Sequence, residues 1–198
     1  MQISAEKTPK LGGAVAESFW TLPNGITLAR IALTPFLFAL PWHHGRWWSA
    51  LIGIAFLVVS LTDILDGYVA RSYGQETRIG KLLDPLADKL LVMTALFMLV
   101  AVGRIPSWAL PLVVAILGRE FAVTGLRGIA GTQGVVIGAS HLGKWKAGFQ
   151  IAALTALLIH WPLLGLPAHE IGLGLLVIAT ALSAISGYAY ARDYFQRS

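Results

Sequence analysis

Six apolar stretches separated by short polar segments organise the chain, at residues 21–42, 47–70, 82–102, 107–130, 142–163 and 170–191. Each supplies the roughly 20 helical residues needed to cover a hydrocarbon core of about 30 Å. The segment from Arg71 to Lys81, between the second and third stretches, is too polar to lie in hydrocarbon and reads as a connection at one membrane face. Residues 1–18 read as a polar lead-in without a signal peptide's order of basic start, apolar run and small-residue cleavage site. Residues 19–198 then form one domain. The expected fold class is all-α and integral to a membrane, with six transmembrane helices.

Composition supports a bilayer as the solvent. Of 198 residues, 56% are hydrophobic and only 13% charged, whereas soluble domains are about a quarter charged. In so apolar a chain the formal charge of +5 points to a membrane surface and not to nucleic acid. Cysteine is absent, which excludes disulfides, thiolate metal sites and thiol nucleophiles. With the N-terminus on the cytoplasmic side, thirteen basic residues lie toward the cytoplasm and only Arg46 and Arg104 on the far side. That bias predicts both termini inside. Trp42, Trp47, Trp48 and Trp161 fall near the outer ends, where aromatic belts lie. Gly134-x-x-x-Gly138 reads as a close helix contact or bend, not a nucleotide loop.

Four of the ten carboxylates, Asp63, Asp66, Asp84 and Asp88, stand in a window of 26 residues at the cytoplasmic ends of the second and third stretches. Spacings of three and four place each pair on one helix face, about 4.5 and 6 Å apart along the axis. A charged aspartate deep in a bilayer costs roughly 2.5–3.5 kcal/mol, so four together require compensation. Hard oxygen ligands suit Mg²⁺ or Mn²⁺, and a pair of such ions supports displacement at phosphorus. The alternative is a set of helix-end aspartates pairing with Arg71, Lys81 and Lys89.

The whole run is Asp63-x-x-Asp66-Gly67-x-x-Ala70-Arg71, eight residues, then Gly80-x-x-x-Asp84-x-x-x-Asp88. At all eight fixed positions it resembles the signature of the CDP-alcohol phosphotransferases. The resemblance implies that Asp63, Asp66, Asp84 and Asp88 hold two metal ions, and that Asp88 also acts as general base on the acceptor hydroxyl. It implies that Gly67, Ala70, Arg71, Thr77 and Gly80 bind the CDP part of a CDP-diacylglycerol donor. Small residues would let a flat ring approach the helix backbone, and the planar fork of Arg71 suits a phosphate. The entry Leu22-Pro23-Asn24-Gly25-Ile26-Thr27-Leu28-Ala29-Arg30 resembles the family's first helix and adds Asn24 and Thr27 to the donor set. Its other reading is a helix start, with Asn24 as cap and Arg30 reaching to the interface.

The acceptor is read from Gly118-Arg119-Glu120, Thr124-Gly125-Leu126-Arg127 and Gly143-Lys144-Trp145-Lys146, placed at the cytoplasmic end of the fourth stretch, the following loop and the start of the fifth. More cations near one anionic donor than its phosphates require point to a second phosphate, carried by the acceptor and held by Arg119, Thr124, Arg127 and Lys144. Topology plus attraction to anionic lipid is the other reading. The wording of these segments resembles the family's phosphatidylglycerophosphate synthases, whose acceptor is sn-glycerol 3-phosphate. Inositol phosphate, serine or phosphatidylglycerol are the alternative acceptors. A divalent-cation transporter is the competing class, but it expects acidic groups near mid-span and paired halves. His43, His44, His160 and His169 fall near outer loops, far from the aspartates, and His141 on the cytoplasmic side. The expected setting is a bacterial inner membrane with the site facing the cytoplasm. The resemblance also admits a homodimer.

Overall fold

The computed structural model describes residues 31–32, 34–37, 45–73, 78–133, 141–163 and 165–196, and for 63–73, 78–86, 88 and 141 the backbone alone. The described residues are helical and form no strand beyond one isolated bridge, Leu163 to Leu166. Five long helices follow one another: α1 (Arg46–Tyr73), α2 (Arg78–Ala101), α3 (Leu110–Thr132), α4 (His141–Ile159) and α5 (Ala168–Phe195). Of the first expected stretch, 31–32 and 34–37 are described and are helical; the rest lies outside the described residues.

The helices run further than hydropathy alone suggests. Much of the polar connection expected over Arg71–Lys81 is helical, because α1 continues to Tyr73 and α2 begins at Arg78. Charged residues end a span but not a helix, since arginine, lysine and glutamine are good helix formers in water. At the other face, α4 stops at Ile159, short of the expected 163. His160 there takes φ +63, and Pro162 disfavours helix in the residue before it.

Among the described residues, Ser107–Thr132 and Ala168–Phe195 are long and apolar enough by themselves to cross a membrane. Arg46–Thr62 and Lys89–Ala101 are shorter apolar segments within α1 and α2.

α4 is the hub. It packs most extensively on α5 and also against α1 and α2. Ala153, Leu154, Leu157 and Leu158 are completely buried, in one cluster with Ile52 and Phe56 of α1, Leu91, Leu96 and Leu99 of α2, and Leu176 of α5. Glycines permit the close approaches. A Cβ at Gly53 would stand 2.5 Å from Ile159 Cγ1, and one at Gly172 would stand 3.0 Å from the Leu157 nitrogen. Small residues at such crossings are how helices pack where lipid is as apolar as leucine. The outer surface is correspondingly apolar: Trp47, Val114, Tyr188 and Phe195 are all exposed. Water does not favour such a face; acyl chains do.

Arg46 and Arg104, the two arginines expected on the far side, tie this bundle at one end. Arg104, buried in the connection after α2, donates to the Leu158 carbonyl at 2.5 Å and to Ser49 Oγ at 2.6 Å. Arg46 donates to the Pro162 carbonyl at 2.9 Å. A cation at the carbonyl end of α4 also opposes that helix's dipole. Beside them, His160 Nδ1 and His169 Nδ1 approach to 3.2 Å.

Candidate active site

The acidic motif lies on unbroken helix. Asp63, Asp66, Gly67, Ala70 and Arg71 fall in α1, and Gly80, Asp84 and Asp88 in α2. With no helix break between the members of each pair, Asp63/Asp66 and Asp84/Asp88 each share a helix face. Four carboxylates at these register positions are a hard-oxygen donor set, the chemistry that fits Mg²⁺ or Mn²⁺. The side chains of these motif residues, and Asn24, Thr27 and Thr77 altogether, lie outside what the structure describes.

Directly after Asp88 stands Lys89, and from here the side chains are described. Lys89 lines a pocket between α2, α3 and α4, together with Met93, Glu120, Phe121, Lys146 and Gln150. The wall is mostly apolar, with these few polar groups converging on one space, the usual make-up of a small-molecule site.

Glu120 is the node of the polar groups. Its carboxylate accepts from the Lys146 ammonium and, at 3.3 Å, from a terminal nitrogen of Arg119. Lys146 and Gln150 are buried, one turn apart on α4. A lone charge at this depth would be costly, and the cation–carboxylate contacts offset that cost. Arg119 also donates to Ser186 Oγ of α5 at 3.0 Å. Its Nε is buried, with no hydrogen-bond partner among the described residues. That donor is under-satisfied, which an anion would correct.

The structure separates the expected acceptor residues. Arg119 and Glu120 stand near the middle of α3, not at its C-terminal end, and Thr124 and Arg127 lie on the same helix instead of in a loop. Gly118, Gly125, Gly128 and Gly131 do not interrupt it. Thr124 donates its hydroxyl proton to the Glu120 carbonyl at 2.6 Å, a bond within its own helix. Arg127 is exposed, its guanidinium 5.8 Å from the centroid of the Tyr190 ring. Lys144 is exposed, whereas Lys146 is buried against Glu120. Two residues are about 200° on a helix, so the two lysines take opposite faces.

Lys89, Lys146 and Gln150 were not among the expected site residues. Their signal is present in the sequence: Lys146 and Gln150 interrupt the inward face that continues as Ala153, Leu154 and Leu157, where a polar side chain needs a reason.

Comparison with known proteins follows the same lines. The family model described as CDP-alcohol phosphatidyltransferase matches residues 20–185. The CDP-diacylglycerol–glycerol-3-phosphate 3-phosphatidyltransferase of Bacillus subtilis is 41% identical over 186 residues, 86% of this chain and 93% of the relative. Its namesake in Rickettsia typhi is 37% identical over 88% of this chain and 98% of the relative. A cardiolipin synthase (CMP-forming) of Oryza sativa is 34% identical over 89% of this chain and 58% of the relative. The eight-position aspartate signature, its two unbroken helices and a match spanning most of the sequence converge on one conclusion: the chain belongs to the CDP-alcohol phosphatidyltransferase family.

Proposed function

We propose that this enzyme transfers the phosphatidyl group of CDP-diacylglycerol to sn-glycerol 3-phosphate, giving phosphatidylglycerophosphate and CMP. The observation that carries the choice of acceptor is the position of the cavity. It begins at Lys89, one residue beyond Asp88, and is walled by Lys146 and Glu120 with Arg119 behind. An acceptor bearing its own phosphate suits such a wall. The relatives from Bacillus subtilis and Rickettsia typhi carry the name of this reaction.

In this reading Asp63, Asp66, Asp84 and Asp88 hold two Mg²⁺ or Mn²⁺ ions, which when bound neutralise charge on the donor's diphosphate and on the departing CMP. Gly67, Ala70, Arg71, Thr77 and Gly80, with Asn24 and Thr27 of the first helix, hold the CDP part. Arg119 and Lys146 orient the acceptor through its phosphate, with Arg127 and Thr124 nearer the entrance. Asp88 takes the proton of the attacking hydroxyl. That oxygen bonds to the lipid-side phosphorus, the bond from this phosphorus to the CMP oxygen breaks, and CMP leaves with the electron pair. Six transmembrane helices, the first including residues 31–32 and 34–37, surround a cavity open to the cytoplasm.

The test is CMP release by purified protein with CDP-diacylglycerol and Mg²⁺, offering glycerol 3-phosphate, inositol phosphate, serine or phosphatidylglycerol separately. Turnover with glycerol 3-phosphate and loss with chelator support the proposal. The rice relative's name makes phosphatidylglycerol the second acceptor to watch; turnover with it alone would overturn the acceptor while keeping the aspartate roles.

A further inference from the structure

The last helix was expected only to span the membrane, and the family match ends at residue 185. The structure gives that helix polar business with α3. Ser183, Ser186, Gly187, Tyr190 and Tyr194 recur at helical spacing along α5. Arg119 donates to Ser186 Oγ at 3.0 Å, Arg127 stands over the ring of Tyr190, and the Tyr194 hydroxyl donates to Gln133 Oε1 at 3.1 Å. α5 therefore answers the polar side chains of α3 at three successive levels.

The contact at Arg119 is the most constrained. Ser186 is buried, and its hydroxyl donates to the Ser183 carbonyl at 3.1 Å. With the proton committed there, the oxygen's lone pairs are left to accept from Arg119. The next residue is Gly187, where a Cβ would stand 2.8 Å from Arg119 Cγ. Cγ is near the root of the arginine, so a methyl group at 187 displaces the side chain as a whole, not its tip. Gly187 makes the room and Ser186 sets the angle.

We infer that Ser186 and Gly187 are positioning residues: together they fix the Arg119 guanidinium where it meets the acceptor's phosphate. The inference rests on the proposal that Arg119 binds that phosphate. It assigns α5 a part in acceptor affinity, exerted through Arg119 and not by contact with the reacting atoms.

The experiment is steady-state kinetics with both substrates varied, on wild type, Arg119→Ala, Gly187→Ala, Ser186→Ala, Ser186→Thr and the double variants with Arg119→Ala. Arg119→Ala should raise the glycerol 3-phosphate KM about tenfold to a hundredfold, the scale of hydrogen bonds to a charged group. Gly187→Ala and Ser186→Ala should each raise it about threefold to tenfold, with kcat and the CDP-diacylglycerol KM little changed. Ser186→Thr keeps the hydroxyl and should restore most of the affinity. In the Arg119→Ala background the α5 substitutions should add nothing, since the group they position is gone.

Additive losses in that background would show a merely structural role and overturn the inference. So would an unchanged acceptor KM in Gly187→Ala and Ser186→Ala when Arg119→Ala raises it. An unchanged acceptor KM in Arg119→Ala itself would instead overturn the Arg119 assignment beneath it. If Gly187→Ala does not assemble, the Ser186→Ala and Ser186→Thr pair decides alone.

Discussion

The guanidinium of Arg104 donates to the carbonyl oxygen of Leu158 at 2.5 Å, joining the connection after α2 to the carbonyl end of α4. Its other terminal nitrogen reaches Ser49 Oγ near the start of α1. One buried cation thus clips three helices at the face opposite the aspartates.

Arg104→Ala should therefore destabilise the protein by about 2–3 kcal/mol, the scale of losing charged hydrogen bonds and leaving buried acceptors without donors. Thermal unfolding in detergent measures it. Arg104→Lys, which keeps the charge but not the two-pronged fork, should fall between. A melting temperature unchanged in the alanine variant would show that the clip contributes nothing.

Asp88→Asn should lower turnover by about 10²–10⁴-fold, the range supplied by a positioned general base, while CDP-diacylglycerol still binds. Chelation should abolish turnover in wild type, and added Mg²⁺ should restore it. Undiminished kcat in the asparagine variant would remove Asp88 from the proton transfer.

Lys144 and Lys146 give a contrast within one turn. Lys146→Ala removes the buried partner of Glu120 and should raise the glycerol 3-phosphate KM about tenfold, with a lower melting temperature. Lys144→Ala, at an exposed position, should stay within about threefold of wild type. The reverse ranking, read from the same kinetic assay, would return the acceptor site to Lys144.

Acid should loosen the end of the bundle at His160. His160 lies in the connection between α4 and α5, where burial first, then Arg104 and His169, lower its pKa below the usual 6.5. The unfolded chain thus binds the proton more readily. The stabilisation is present above about pH 6.5 and is lost as pH falls through the lowered folded value. The melting temperature should drop between pH 7.5 and 5.5 in wild type. His160→Asn should flatten that dependence, because asparagine accepts the positive φ without titrating. An equal drop in both proteins would place the acid-sensitive group elsewhere.

Much of this molecule is legible from its residues. Long apolar runs announce helices because a bilayer leaves the backbone no other partner. Aspartates at spacings of three and four announce a shared helix face within each pair because helical periodicity leaves them no separate faces. Other features resist that reading for equally physical reasons. Hydropathy marks where a helix leaves lipid, not where it ends, so the helical turns at Arg71–Tyr73 and Arg78–Gly80 read as loop. Which of two lysines two residues apart turns inward depends on the phase of α4, which the cavity-lining Gln150 shares with Lys146 but not with Lys144. Ser186 and Gly187 look like ordinary small packing residues until Arg119 is seen against them.

α1 also works as a ruler. Its 28 residues span about 42 Å at 1.5 Å each, yet the rise from Arg46 to Asp63, its first carboxylate, is only about 25 Å. On the proposed roles of the aspartates, bilayer thickness would set the height of the reaction plane, with acyl chains in their leaflet and the nucleotide end in the headgroup layer. If Asp63 serves the reaction, a bilayer of longer-chain lipids should draw it toward hydrocarbon at a cost to its charge, and turnover in vesicles should fall as the acyl chains lengthen.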